Sequence, residues 1–377
     1  MRQNYFYDIC KKLFYIIVAD FILIQNNIMR EVFMNKIGVL LLVTVGFLFT
    51  SNLPVKMFQS SNTVLRDNIV VAQFSRTGYD ADKSQETSYT YPEFYRGIYL
   101  NVSSANNFKK LQEFVAKAKT ANINTMVLDV QSAKLVKCMV PESHVRYCKE
   151  NGIHAIARIV VFPDGLRKYP VSDSYIDDRL SIAEDACRNG FKEIQFDYIR
   201  FHDSGNTRNL THGQRYKYIE DIFTRARNRV KKYNVRIAAD VFGRIPLNND
   251  DIIGQKIESL DKVADIICPM AYPSHYTWSK KYYSDPYYAV HETSTQARLR
   301  SKNAMIVTYI QAFKMKMGSI PFERYIQDQL RAVYDSGIKG YILWNARQEY
   351  DIPLAVVKSF YPSKVSKKER SASTLID

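Results

Sequence analysis

Three aspartates close short apolar runs in this chain: Asp129 in VLDV, Asp197 in QFDYIRF and Asp240 in AADVFG. A carboxylate set among Ile194, Phe196, Tyr198 and Ile199 loses its hydration on folding unless a charge partner or a reaction uses it. Two such groups facing one cleft could cleave a glycosidic bond. One, protonated, acts as the acid at the leaving oxygen, and the other, ionised, acts as nucleophile or base. Asp197 and Asp240 are the expected catalytic pair. An arginine can hold one carboxylate ionised while burial raises the other, which separates their roles. Arg200, three residues beyond Asp197, is the nearest candidate partner in sequence.

Other polar and aromatic groups end or follow similar runs. They are Arg158 in IARIVVF, Tyr272 and His275 in PMAYPSHY, Gln311 in YIQAF, and Trp344 with Asn345 in GYILWN. Together with Asp129, Tyr198 and Arg200 they form the expected substrate-binding set, in which Tyr198, Tyr272 and Trp344 offer flat faces to sugar rings. Structural readings stand beside these: Asp197 paired with Arg200, Asp240 capping a turn, Asp129 bonding loop amides, Trp344 as core. His275 has no second histidine at metal-ligand spacing, so it is expected to bond substrate or a carboxylate. No metal or cofactor is expected. A Ser-His-Asp order and a GxSxG elbow are both missing, which argues against acyl transfer.

The elements that must position these residues alternate strand and helix. Apolar runs rich in Ile, Val, Tyr and Phe cover 97–102, 124–130, 154–162, 193–199, 236–242, 265–272, 304–313 and 340–345. Short continuous apolar runs are the mark of parallel strands buried on both faces. Helix-period segments lie between them, several closed by Asn-Gly or Ser-Gly stops. Eight such units across 94–360 predict a (β/α)8 TIM barrel, whose active sites sit at the C-terminal strand ends. A doubly wound open sheet is the alternative, though no GxGxxG turn follows the first strand and no P-loop occurs.

The formal charge of +15 is spread over helix faces without interleaved aromatics, so no nucleic-acid partner is expected. Five cysteines make no CxxC pair; Cys138 and Cys148 could pair in an oxidising compartment, and Cys187 and Cys268 read as core. Residues 1–58 are expected to form one or two apolar N-terminal segments. Lys36 followed by the run Ile37 to Phe49 has the layout of a signal peptide or membrane anchor, with Met34 as a possible true start. Leu13 to Ile24 is also apolar but carries Asp20. Residues 59–93 read as a polar linker and 361–377 as a basic disordered tail. The barrel is therefore expected outside the cytoplasm, secreted, periplasmic or tethered to the membrane through its N-terminus.

The blocks FDYIRF, ADVFG, PMAYPSHY, YIQAF and GYILWN, in this order, resemble the glycosyl hydrolase-like barrel family long carried as a domain of unknown function. The resemblance spans most of 94–356 and implies a TIM barrel related to glycoside hydrolases, exported or anchored. Two departures stand out. The second strand is followed by QSAKLV rather than Lys, an acidic cluster and Gly, and the fourth continues Phe201-His202 rather than Phe-Pro. The leading expectation is hydrolysis of an extracellular or cell-envelope polysaccharide by two carboxyl groups. A non-catalytic, envelope-anchored glycan-binding barrel is the rival, and a metal-dependent deacetylase is disfavoured by the missing Asp-His-His ligands.

Overall fold

The computed structural model describes residues 89–360 apart from residue 208. The expected N-terminal apolar segments, most of the linker and the basic tail lie outside the described residues. Among those described, no helix is long and apolar enough to cross a membrane.

Eight parallel strands close into a barrel. They are β1 (Tyr95–Leu100), β2 (Thr125–Asp129), β3 (His154–Val160), β4 (Glu193–Asp197), β5 (Arg236–Phe242), β6 (Ile266–Ala271), β7 (Thr308–Gln311) and β8 (Gly340–Trp344). Each pairs with the next in chain order, β8 returns to β1, and the short run Met305–Ile306 leads into β7 along β6. The (β/α)8 barrel predicted from the apolar runs is the fold observed, and the open-sheet alternative is excluded by the β8–β1 pairing.

Alternation along the strands sends one set of side chains inward and the other out to the helices. The inner set includes Tyr95, Tyr99, Val127, Ile156, Ala238, Ile266, Cys268, Val307, Tyr309 and Ile342. A larger core lies between the strands and the helices, and includes Leu128, Ile194, Phe196, Phe223, Leu330 and Leu343. Gly97 on β1 has no side chain because a Cβ there would collide with the Ile342 side chain inside the barrel. Some of the helices start on side-chain caps that satisfy their first amides. Ser172 caps Asp173–Arg188, and Thr211 forms a capping box with Gln214 for His212–Val230.

Cys138, Cys148, Cys187 and Cys268 are all buried free thiols, so Cys138 and Cys148 do not pair. A two-stranded parallel ribbon, Leu166–Lys168 with Phe201–Asn206, rises above β3 and β4 and was not anticipated. The last stretch of the expected linker packs on the opposite, N-terminal face. Tyr89 Oη meets His154 Nδ1 at 2.7 Å, and the Arg236 guanidinium lies 3.7 Å from the Tyr91 ring centroid.

Candidate active site

The three aspartates reach the same end of the barrel because β2, β4 and β5 run parallel. Asp129 and Asp197 are the last residues of their strands, and Asp240 lies two residues before the end of its own. Arg158 on β3 sits in register with Asp129 on one side and Gln195 on the other. Its side chain points inward and spans the carboxylates. Nη1 donates to Asp129 Oδ1 at 2.5 Å, Nε donates to Asp197 Oδ2 at 3.1 Å, and Nη2 also donates to that Asp197 oxygen. The Asp240 Oδ2 atom lies 4.0 Å from Nε. Burial lowers the Arg158 pKa, but the charges of Asp197, Asp129 and Asp240 outweigh it and lift the pKa well above the ordinary range.

Asp197 is held from both sides, since its Oδ1 accepts the Tyr198 backbone N–H at 2.5 Å. Tyr198 takes a left-handed backbone with φ of 50°, so the strand ends at Asp197 rather than continuing to Ile199 as the apolar run suggested. Non-glycine residues in this region carry strain that the surroundings must offset. The turn that strains Tyr198 also aims its N–H at the carboxylate.

Asp240 has the opposite electrostatic setting. It is 1% exposed, and its pKa is raised well above the ordinary 3.8. Burial is the main cause, the Asp197 charge adds to it, and Arg158 and a Gln195 hydrogen bond oppose it. Gln195 Nε2 donates to Asp240 Oδ1 at 2.7 Å, while Gln195 Oε1 accepts the Tyr309 hydroxyl at 2.8 Å. With Oδ1 already accepting, the proton of a neutral Asp240 belongs on Oδ2.

A cavity of about 360 Å³ opens over this cluster. Among the expected residues, Arg158, Asp197, Tyr198, Asp240, Tyr272, His275 and Trp344 line it. Tyr309, Arg244, Phe242, Gly243, Met270, Tyr276 and Trp278 complete the wall, and none of these was foreseen. Trp344 lies against Tyr99 with centroids 4.1 Å apart, and the Arg158 guanidinium carbon is 5.2 Å from its ring. His275 packs edge-on against Tyr272 at 5.4 Å and makes no ion pair with a carboxylate among the described residues; burial and the nearby Lys316 lower its pKa.

Four expected residues fall elsewhere. Asp129 stands behind Arg158, bonded also to the Tyr99 hydroxyl at 2.5 Å. Arg200 turns away from Asp197: its Nη1 donates to the Phe201 carbonyl at 2.9 Å and its Nη2 to Asp164 O at 3.1 Å, with the guanidinium 4.5 Å from the Phe242 ring centroid. The left-handed step at Tyr198 redirects the chain and so gives the pairing role to Arg158. Gln311 is fully buried and ties loops together, accepting from Ser274 N at 3.1 Å and donating to Phe313 O at 3.0 Å. The Asn345 amide donates to Ala312 O at 2.7 Å and shapes a neighbouring cavity.

Gln195, Tyr99 and Tyr309 were missed, although the period-2 rule carried the signal. Gln195 lies two residues before Asp197, and Tyr309 two before Gln311, so the first pair had to share the inner face. Among the described residues, no group of His, Cys, Asp and Glu could hold a metal ion. A guanidinium fills the space between the three aspartates.

No curated protein matches this sequence. The solved glycoside hydrolase domain of PgaB (BpsB) from Bordetella bronchiseptica shares the fold with a TM-score of 0.56 and 10% identity, over 70% of this chain and 98% of that one. The spore cortex-lytic enzyme SleL from Bacillus cereus gives 0.51 and 12% identity, over 72% and 76% of the respective chains. The catalytic domain of β-amylase from Paenibacillus polymyxa gives 0.50 and 10%, over 74% and 99%. At such identities the likeness is one of fold alone. The sequence itself goes further, because residues 168–350, from the ribbon above β3 to the end of the β8 loop, match the model of the family described as "Putative glycosyl hydrolase domain".

Proposed function

We propose that this barrel hydrolyses O-glycosidic bonds of a polysaccharide, with Asp197 ionised as nucleophile or base and Asp240 as the protonated acid. One observation carries the reading: a single arginine grips Asp197 while Asp240, beside it in the same cavity, is held toward its neutral form. Glycosidases need this division of labour between two carboxyl groups. The Asp240 proton passes to the leaving oxygen as the C–O bond breaks. As that bond breaks, an Asp197 oxygen either bonds the anomeric carbon or takes a proton from the water that attacks this carbon directly. In the first case the resulting ester is hydrolysed by a water that gives its proton to the Asp240 carboxylate. Arg158 and the Tyr198 N–H take three of about four acceptor sites on the Asp197 carboxylate, which leaves one on Oδ1 for either role. Tyr198, Tyr272 and Trp344 offer apolar faces to the sugar, and His275 closes one wall. The basic Lys36 followed by Ile37 to Phe49 supports export, with the N-terminus as signal or membrane anchor. A reporter fused at residue 100 is expected to be active only outside the cytoplasm.

The test is Asp197→Asn in the full chain, with turnover, glycan binding and melting measured together. Turnover is expected to fall by at least about 10²-fold with binding kept. Near-normal turnover in a folded variant would end the catalytic assignment. A wild-type protein that binds glycans but turns none over would favour the second reading, a glycan-binding barrel, for which the departure QSAKLV after β2 speaks.

A further inference from the structure

Trp344 and His275 line both the cavity over Asp197 and a second, larger one of about 910 Å³. This neighbour lies against the loops after β7 and β8 and has an aromatic lining that includes Phe313 and Phe322. Three cations and two carboxylates also face it. Lys117 is neutralised by Asp351, 2.7 Å away, and Glu349 sets one negative charge against the two remaining cations. Lys314 and Arg347 are exposed and make no ion pair with any described residue. Lys314 Nζ lies 5.6 Å from the Phe322 ring centroid, and the Arg347 backbone is fixed by its N–H bond to Asn345 Oδ1 at 2.9 Å. Lys316, on the same loop as Lys314, adds to the positive field at His275.

We propose that the glycan chain runs from the catalytic cavity past Trp344 into this second cavity, where Lys314 and Arg347 bind an acidic substituent, so that the substrate is an anionic polysaccharide cleaved within the chain. This rests on the hydrolase reading for the cleavage and on the cavity for the selectivity. Concave sites with unpaired cations focus field on an anion. A guanidinium fork fits either a carboxylate or a phosphate with two parallel bonds. A catalytic cavity that ended at Trp344 would favour removal of terminal sugars; one that opens beyond it lets the chain continue on both sides of the bond.

The experiment measures binding to the full-length Asp197→Asn protein, so that no turnover is needed. Two matched pairs of glycans serve as probes: polygalacturonate with its carboxyl-reduced form, and phosphomannan with its dephosphorylated form. At least one acidic member is expected to bind about tenfold or more tighter than its neutral partner, with the preference shrinking as salt rises. Which pair responds distinguishes a carboxylate from a phosphate. Adding Lys314→Ala and Arg347→Ala is expected to remove the preference while leaving affinity for the neutral glycan unchanged. Equal binding within both pairs, or a preference that survives the double substitution, would overturn the proposal. A charge preference in a wild-type protein without turnover would instead remove the hydrolase reading and leave the anion site standing.

Discussion

Arg158 gives both its Nε and its Nη2 to a single oxygen of Asp197, with the Nε bond at 3.1 Å. Its remaining Nη1 goes to Asp129. The guanidinium is therefore a strut between β2 and β4 as well as a charge partner, and it explains how three carboxyls share one barrel end. Removing one member of a buried ion pair typically costs about 3–5 kcal/mol, because the partner is left uncompensated. Arg158→Met is expected to destabilise the barrel by that order. Denaturant unfolding checks this, and a loss below about 1 kcal/mol would show that the pair is solvated in solution.

At the other end of β4, Glu193 forms a comparable buried cluster with a different expected role. Glu193 Oε2 accepts the Tyr95 hydroxyl at 2.9 Å and lies 2.9 Å from His154 Nε2, while Arg236 Nη1 donates to the Tyr95 hydroxyl at 3.0 Å. Four residue steps separate it from Asp197, about 13 Å along a strand. Polar groups at this face of a barrel serve stability rather than chemistry. Glu193→Leu is expected to cost about 1–3 kcal/mol by leaving those donors unpaired, with turnover per folded molecule unchanged. Paired unfolding and rate measurements test this, and a selective loss of rate would contradict it.

Gly243 marks a close approach in the cavity wall. A Cβ there would collide with the Tyr276 hydroxyl and the Met270 carbonyl oxygen. The carbonyl belongs to β6 and cannot swing away as a side-chain tip can. Gly243→Ala is expected to destabilise by about 1–3 kcal/mol and to narrow the cavity, raising KM more than it lowers kcat. An unchanged KM would place this wall away from the substrate.

The barrel was legible because buried parallel strands leave short, continuous apolar runs, and all eight of these became strands. The aspartate positions were legible for the same reason, since a strand end is visible as the point where the run stops. The error over Arg200 is informative. Proximity in sequence suggested the pair with Asp197, but residues three apart across a left-handed step face different ways. Arg158 is far in sequence and adjacent in space, joined through the β2–β3–β4 register that no single strand reveals. Gln311 and Asn345 bond loop groups in the fold, and a buried amide at a strand end looks the same in sequence whether it meets a ligand or a loop carbonyl. Gln195 had the reverse fate: it lay in an apolar run, and its partners Asp240 and Tyr309 come from β5 and β7.

Asp240 offers the sharpest test of the assigned protonation states. Burial, with the Asp197 charge added, raises its folded pKa well above the 3.8 of an unperturbed aspartate. The folded protein therefore holds this proton more tightly than the unfolded chain does. The stability linked to it is fully present below the unfolded pKa and is lost as pH rises through the folded one, at up to about 1.4 kcal/mol per pH unit. Asp240→Asn copies the neutral acid and keeps an oxygen for the Gln195 donor, yet has no proton to lose. The variant is expected to match the wild type near about pH 4 and to become more stable than it at neutral pH, the gap widening between. Turnover should fall by at least about 10²-fold, because an amide cannot protonate the leaving oxygen. Unfolding curves for both proteins across this pH range decide the matter. A stability difference that stays constant with pH would show that Asp240 is ionised in the folded protein, and the acid role would then have to pass to another group.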